Sequence, residues 1–531
     1  MQTIALSNFA ELLFKGCNMK IQQKSNLSKT ILIKLTLTFL ILSMLIGIFA
    51  GCKKNNNQEV STTPTLKVID NLSPELKFNG NEVDILYCGS DAFAETFVMD
   101  DPGKDGSIVQ ESAHQAINYV QSRLNVAISV SQRPYSGWDK RDEDSSFLAR
   151  IFMTGGEGYD LLFTETALLR AINSGGVDIS QLYDLETLHN INLDESWWNQ
   201  SLRALGNGHT YFACGDSSLK VVGNMNCVYF NQDLLSEYQI EENLYEVVKS
   251  GNWTLSKLKE IIAETYFSSD GSGISSPDDY YGVTFKNGNV YQSFCQAFNL
   301  NLYEKNAGTN EWHFAGNNLR VNNIMSDLND FVNHNQNVLP INFENPRSDE
   351  TWNYASGSAK VSKVFYDGRA CFSFGVFGDV SILQNADFQL GMIPYPKYDE
   401  EQKDYAGGSY TWQVFSIPTF AEDAEISAAV LEVFTTFFSK EVMPAFYETT
   451  IKLRGSDNAE MYEMFDFIRQ RISYPFEHFY GIQSDGLSMG TDFVKAFIIN
   501  DYGDAWGRKC DEGEYKAQET LNKIIKQFRL S

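Results

Sequence analysis

From Glu82 onward the chain alternates short apolar runs with helical periodicity. Val83-Asp84-Ile85-Leu86-Tyr87 reads as a strand ending at Cys88-Gly89-Ser90-Asp91. Residues 109–124 follow, with Val109, Ala113, Ile117, Val120 and Leu124 on one face of a helix. Val126–Val130 is a second strand. A helix around Ser145–Met153 then leads through Gly155-Gly156 into a third, Tyr159–Phe163. Strand, helix, strand, helix, strand predicts a parallel sheet covered on both faces. Ligands of such sheets sit outside the carboxyl ends of the strands, here Gly89–Asp91 and Thr164–Glu165.

The middle of the chain repeats the theme. Asn226–Asn231 is a strand running into a helix, Gln232–Tyr238, and Thr254 is placed to cap a helix over Leu255–Thr265. Strands over Tyr280–Phe285 and Phe388–Ile393, a helix over Val321–Val332 and a long strand over Gly407–Pro418 follow. The last third is helical, with Ser427–Phe438 and Glu514–Phe528 the clearest segments. There is no internal repeat and no Pro-rich linker. Two α/β bodies without a linker predict a chain that crosses between lobes more than once.

The first 51 residues have another character. Lys20, Lys24, Lys29 and Lys34 precede the apolar run Leu35–Ala50, which ends in Gly51-Cys52. A basic start, a short apolar stretch and small residues make an export signal. Sixteen residues fall short of the roughly 20 that span a bilayer. Phe49-Ala50-Gly51-Cys52 resembles a bacterial lipobox, with Phe49 where Leu is usual, which makes Cys52 the expected lipid attachment site. Met19-Lys20 opens a leader of normal shape, so residues 1–18 read as upstream sequence. Residues 52–78 begin with a polar, aperiodic stretch that reads as a tether. Two acyl chains anchor stably where one is marginal, so the body is expected outside the cell, on the outer face of the cytoplasmic membrane.

Composition narrows the partners. The 531 residues are 43% hydrophobic and 13% aromatic, enough for large cores. Five of the 42 cations and one of the 68 acids fall in residues 1–51, leaving 37 against 67, a charge of −30. Such an acidic body has no positive field for nucleic acid or anionic lipid. Cys17, Cys88, Cys214, Cys227, Cys295, Cys371 and Cys510 show no metal-ligand spacing and read as buried thiols. The six His are scattered, and no nucleophile elbow, P-loop or dinucleotide fingerprint appears. Ser268–Asp279 has the outline of a calcium loop, but Ser stands at positions one and five and Asp at twelve, so a plain Gly/Ser turn is the better reading. No catalytic residue, metal or cofactor is expected.

Several stretches in order resemble the extracellular solute-binding lipoproteins of ABC importers, in the sugar-binding class that includes maltose-binding protein. They are Tyr159–Phe163, Val228–Leu235, Gly251–Thr254, Tyr280–Gly282, Tyr366–Ala370 with Gly375-Val376-Phe377, and Gly407–Ser409 leading to Ile417-Pro418. The resemblance spans residue 83 to about 450. It implies a two-lobe type II periplasmic-binding fold of α/β class, closing on a ligand in the cleft. Mapped here, lobe one is 79–226 plus 411–452, and lobe two is 227–410 plus 453–531. It also implies ligand contacts from Ser90, Asp91, Thr164 and Glu165, and aromatic platforms at Phe377 and Tyr291, with Tyr410 a further candidate in the long strand. Thr164 stands where relatives carry an aromatic, which argues against a maltodextrin specifically. The function implied is capture of an oligosaccharide-like solute by a monomer and delivery to a membrane permease. An exported glycoside hydrolase, or a peptide-binding or adhesive surface lipoprotein, are the competing readings.

Overall fold

A computed structural model describes residues 69–89, 96–134, 141–156, 158–286, 290–339, 353–356, 359–409, 413–451, 459–481 and 490–530. All of them belong to one unit, Lys67–Ser531. The leader, Cys52, Ser90, Asp91 and Tyr410 lie outside the described residues.

The first sheet is built from β1 (Asn81–Gly89), β2 (Val126–Pro134), β3 (Leu161–Thr164) and a late edge strand. β1 pairs in parallel with both β2 and β3, with Ile85 opposite Val130 and Cys88 opposite Thr164. Val83 and Ile85–Cys88 are all buried, as a strand covered on both faces requires. The helix Ile108–Leu124 supplies one cover. Ser107 accepts a hydrogen bond from the Gln110 N–H at 3.1 Å while Gln110 accepts from the Ser107 N–H at 2.9 Å, a reciprocal cap that starts the helix. The expected face, Val109, Ala113, Ile117, Val120 and Leu124, is buried throughout. At its far end Arg123 forms a fully buried ion pair with Asp70 at 2.9 Å and donates to the carbonyls of Leu72, Ser73 and Leu76. That fork pins the start of the described chain to the helix.

The second sheet takes β4 (Asn226–Asn231), β5 (Tyr281–Phe285), β6 (Ala370–Val376) and β7 (Leu390–Ile393), in the order β7-β4-β6-β5. β6 runs parallel to β5 and antiparallel to β4, and β7 is antiparallel to β4. Its core is aromatic. Phe374 of β6 meets Phe294 at 5.1 Å and Tyr395 edge-on at 4.8 Å, in the offset arrangements that ring quadrupoles prefer. Thr254 caps Leu255–Ile261 by accepting from the Lys257 N–H at 3.2 Å.

The expected long strand over Gly407–Pro418 is corrected. Among the described residues of this stretch only β8 (Val414–Ser416) forms, antiparallel to β3, with Val414 opposite Thr164. Gly407 and Ser409 make single bridges, to Ile472 and Met225. The stretch passes from one sheet to the other, so no continuous ladder can hold it. β8 also adds an antiparallel edge to a sheet expected to be parallel.

The helix Ala424–Phe437 packs on the first sheet's cover and continues through a wider turn, Phe438–Val442, into Met443–Ile451. The six cysteines among the described residues are buried and free. Among the described residues, no helix is long and apolar enough to cross a membrane.

Glu432 is fully buried in the first of these helices, and burial pushes its carboxyl up to about 7, with Glu195 and Asp70 adding to the effect. The Asn192 N–H and the Trp198 indole N–H both donate to its Oε2 at 3.1 Å. A carboxyl raised by folding supports the fold below its unfolded value of 4.5 and withdraws that support as pH rises through 7. Wild-type melting temperature should therefore fall more steeply from pH 5 to pH 8 than that of Glu432→Gln. Parallel pH profiles would contradict this.

Candidate functional site

Strand direction brings six carboxyl ends to one place. β4 begins at Asn226, just after the short helix Leu219–Gly223. Because β6 and β7 oppose β4 and β5 follows β6, all three end beside the start of β4. On the first sheet β1, β2 and β3 end together at Gly89, Pro134 and Thr164. The two sets are joined through the helix Leu219–Gly223. Its Lys220 reaches Glu165, the residue after β3, at 2.5 Å, and both side chains are about nine-tenths buried. On the other side, the carbonyl of Gly223 lies so close to Gly378 that a Cβ there would meet it at 3.1 Å. Gln413, entering β8, accepts from the Lys220 N–H at 3.3 Å and has its carbonyl hydrogen-bonded by the Ser218 hydroxyl at 3.0 Å.

Three described cations at these ends face carboxylates. Beside the Lys220–Glu165 pair, Lys286, just past β5, is bonded to Asp379, just past β6. Asp379 also accepts from the Val376 N–H at 2.9 Å, and burial holds its carboxyl above the ordinary range while Lys286 pulls the other way. Arg133 on β2 pairs with Asp144 at 3.0 Å. Burial, with Asp144 assisting, pushes the Cys88 thiol up to about 12, so it is no nucleophile at neutral pH. His478 is buried with Nε2 on the Ser409 carbonyl at 2.9 Å, and burial lowers it to about 4. Three buried polar atoms here, Thr164 Oγ1, Asn226 Oδ1 and Gln296 Nε2, have no hydrogen-bond partner among the described residues. Among the described residues the arrangement offers paired charges, hydroxyls and amides, and neither an exposed general base nor an activated nucleophile.

The structure places Thr164 and Glu165 at the strand ends, as expected. It brings Phe377 and Tyr291 elsewhere. The Phe377 backbone does reach the crossing, its N–H donating to the Met225 carbonyl at 2.9 Å. Its ring, however, is wholly buried between Phe465 at 4.7 Å and Phe446 at 5.9 Å. Tyr291 is buried edge-on to Phe285 at 5.5 Å. Both rings are core in this structure, because apolar faces with protein partners are already removed from water.

Sequence reasoning missed Lys220, Gln413, Lys286 and Asp379. Lys286 and Asp379 carried a usable signal, since Lys286 follows directly on the end of β5 and Asp379 stands three residues past the end of β6. Lys220 carried none. The Ser268–Asp279 loop is a turn organised by one carboxylate. Asp279 is fully buried and accepts from the N–H groups of Ser269 at 2.8 Å and Ser276 at 2.9 Å. Among the described residues, no cluster of His, Cys, Asp and Glu is placed to hold a metal ion.

No family model matches the chain, and no curated protein matches it in sequence. Solved structures do. The sugar-binding protein MalE of Xanthomonas citri superposes with a TM-score of 0.52 at 11% identity, over 84% of this chain and 100% of its own. A cyclo/maltodextrin-binding protein complexed with maltotetraose gives 0.48 at 13% identity, over 85% and 97%. An ABC substrate-binding protein of Listeria monocytogenes in complex with cycloalternan gives 0.44 at 13% identity, over 83% and 99%. The fold is that of the type II periplasmic sugar-binding proteins, two α/β lobes crossed repeatedly by the chain.

Two substitutions check these placements. Phe377→Ala should cost about 3–5 kcal/mol of folding stability in a urea melt, as for a core ring. Lys220→Met should destabilise more than the double change Glu165→Gln/Lys220→Met, because the single change strands a buried charge. A single variant as stable as the double would refute the pairing.

Proposed function

We propose that this chain is a non-catalytic, lipid-anchored solute-binding protein that closes on a neutral carbohydrate between its lobes and passes it to an ABC permease. The observation that carries the reading is the convergence of six strand ends on a site where the described cations Lys220, Lys286 and Arg133 are each paired with a carboxylate. Sugars bind through hydroxyls on amides, acids and hydroxyls, and need no free ion. The Xanthomonas citri protein that shares the fold is itself sugar-binding. In this reading Ser90, Asp91, Thr164 and Glu165 serve one lobe, taken as 79–226 plus 411–452. Lys286 and Asp379 serve the other, 227–410 plus 453–531, with Lys220 and Gln413 beside the crossing. Cys52 carries the lipid on the outer face of the cytoplasmic membrane. Its replacement by Ala should leave unprocessed precursor without lipid label; normal labelling of that variant would refute the anchor.

The test is calorimetry against a panel of labelled oligosaccharides, with the same samples assayed for cleavage. Binding without turnover is expected, and a ligand at 100 times its dissociation constant should add about 2.7 kcal/mol of stability. Glu165→Ala should weaken that binding roughly tenfold, or about 1.4 kcal/mol. Turnover would instead establish an exported hydrolase, and binding unmoved by Glu165→Ala would remove the strand ends from the site.

A further inference from the structure

The C-terminal helix touches both halves of the molecule. Trp506–Phe528 runs for 23 residues, about 35 Å at 1.5 Å per residue. Its first half is fixed to the body around the second sheet. The Trp506 indole donates to the Gly316 carbonyl at 2.8 Å, and its ring meets Phe493 at 4.9 Å and Phe497 at 5.1 Å. Gln518 accepts from the Phe314 N–H at 3.2 Å, and Asp511 from the Asn317 amide at 2.6 Å. The helix Thr491–Ile499, which carries both phenylalanines, is tied to Leu319–Asn333 by Asn333 on the Ile498 carbonyl at 2.8 Å. Phe331 of that second helix reaches Phe294, the neighbour of Phe374 on β6.

The far end of the helix grips the other body. The short helix Ala167–Asn173 begins just after Thr164 and Glu165 at the end of β3. Its last carbonyl, that of Asn173, accepts from Gln527 Nε2 at 2.6 Å, a cap that its own helix cannot supply. Phe528 packs against Phe212 at 6.2 Å and Tyr480 at 4.8 Å. Arg529 turns left-handed at φ 52°, which folds Leu530 back into the core, and its guanidinium lies 3.5 Å from Asp178. The two attachments differ in quality. At the first, each polar group named has its partner. At the second, Asn173 Nδ2, Asn173 Oδ1 and Gln527 Oε1 are buried without a hydrogen-bond partner among the described residues. The Arg529–Asp178 pair is more than half exposed on both sides, where such pairs contribute little. Apolar burial at Phe528 and Leu530 therefore holds this end on, while three stranded polar atoms oppose it. Water would satisfy them once the end lifted.

We propose that the end of the C-terminal helix is a releasable latch. Fixed to the second-sheet body, it grips residues 173–178 of the first, holds the spacing of the two lobes, and lets go when that spacing changes. The gripped helix is seven residues long and has Glu165 just beyond its other end, so the latch and the strand ends are joined by one short rigid piece. The latch goes beyond the strand-end reading and does not depend on what those ends bind.

The test is a distance measurement by double electron–electron resonance on the full chain without ligand. Nitroxides go on Met153→Cys, on a helix packed against the gripped one, and on Leu319→Cys of the second-sheet body, both exposed positions. Cys17 and Cys52 are changed to Ser, which leaves only buried thiols beside the labels. The parent should show one dominant distance and a minor second one. Phe528→Ala removes the apolar grip and should raise the minor population about tenfold. Asn173→Leu removes two stranded atoms, keeps the carbonyl that Gln527 caps, and should lower it. If Phe528→Ala does not fold, Gln527→Ala/Arg529→Ala takes its place with the same sign. A helix end that only adds stability would move the melting temperature and leave the distances alone. Distributions identical in every variant, or shifted in the same direction by Phe528→Ala and Asn173→Leu, would overturn the latch.

Discussion

The structure depends on how the chain passes between its two sheets. Asn226 donates its N–H to the Gly408 carbonyl at 2.8 Å, and Met225 bridges Ser409, so two passages run side by side. Their spacing is set by Gln296, whose amide fills the place a Cβ at 408 would occupy, with atoms at 1.9–2.2 Å. Only glycine fits there without moving the amide. The same amide accepts from Asn226 Nδ2 at 3.0 Å. One polar side chain therefore holds both passages, and with them the relation of every strand end that converges on the site.

Around that point the protein uses its aromatic wealth for packing. Phe163 and Phe415 stack at 4.2 Å across β3 and β8, and Phe97 stacks on Phe434 at 5.3 Å. Phe377 and Tyr291 join equivalent clusters. Among the described residues, the strand ends carry acids, lysines, a glutamine and a threonine. A site of paired charges suits a ligand recognised by hydroxyls, since a net charge on the ligand would have to displace an existing buried partner.

Buried ionisable groups follow the same economy. Glu432 and Glu477 are both pushed up to about 7 by burial, and His478 is pushed down to about 4. All three sit in the helical part of the chain and serve structure: the two carboxyls accept backbone or indole hydrogen bonds, and His478 donates to the Ser409 carbonyl.

Local pattern determined much of this protein. Period-two and period-3.6 spacing located β1–β5, β7 and the main helices, because burial on one or both faces is written into neighbouring residues; β6 was not among them. The Ser107 and Thr254 caps and the Asp279 turn are likewise local. The α/β class followed from element order alone, and so did the placing of Thr164 and Glu165 at the end of β3. Tertiary structure decided the rest. The Gly407–Pro418 run has strand composition throughout, yet passes between sheets, and among its described residues a continuous ladder forms only over β8, with single bridges elsewhere. Whether Phe377 faces a ligand or a core was settled by Phe446 and Phe465, on helices that only the fold brings near. Lys220 reaches Glu165 at the end of β3 because its helix stands beside that strand. Ring burial and charge pairing are properties of distant neighbours, and a single residue's local pattern holds no record of them.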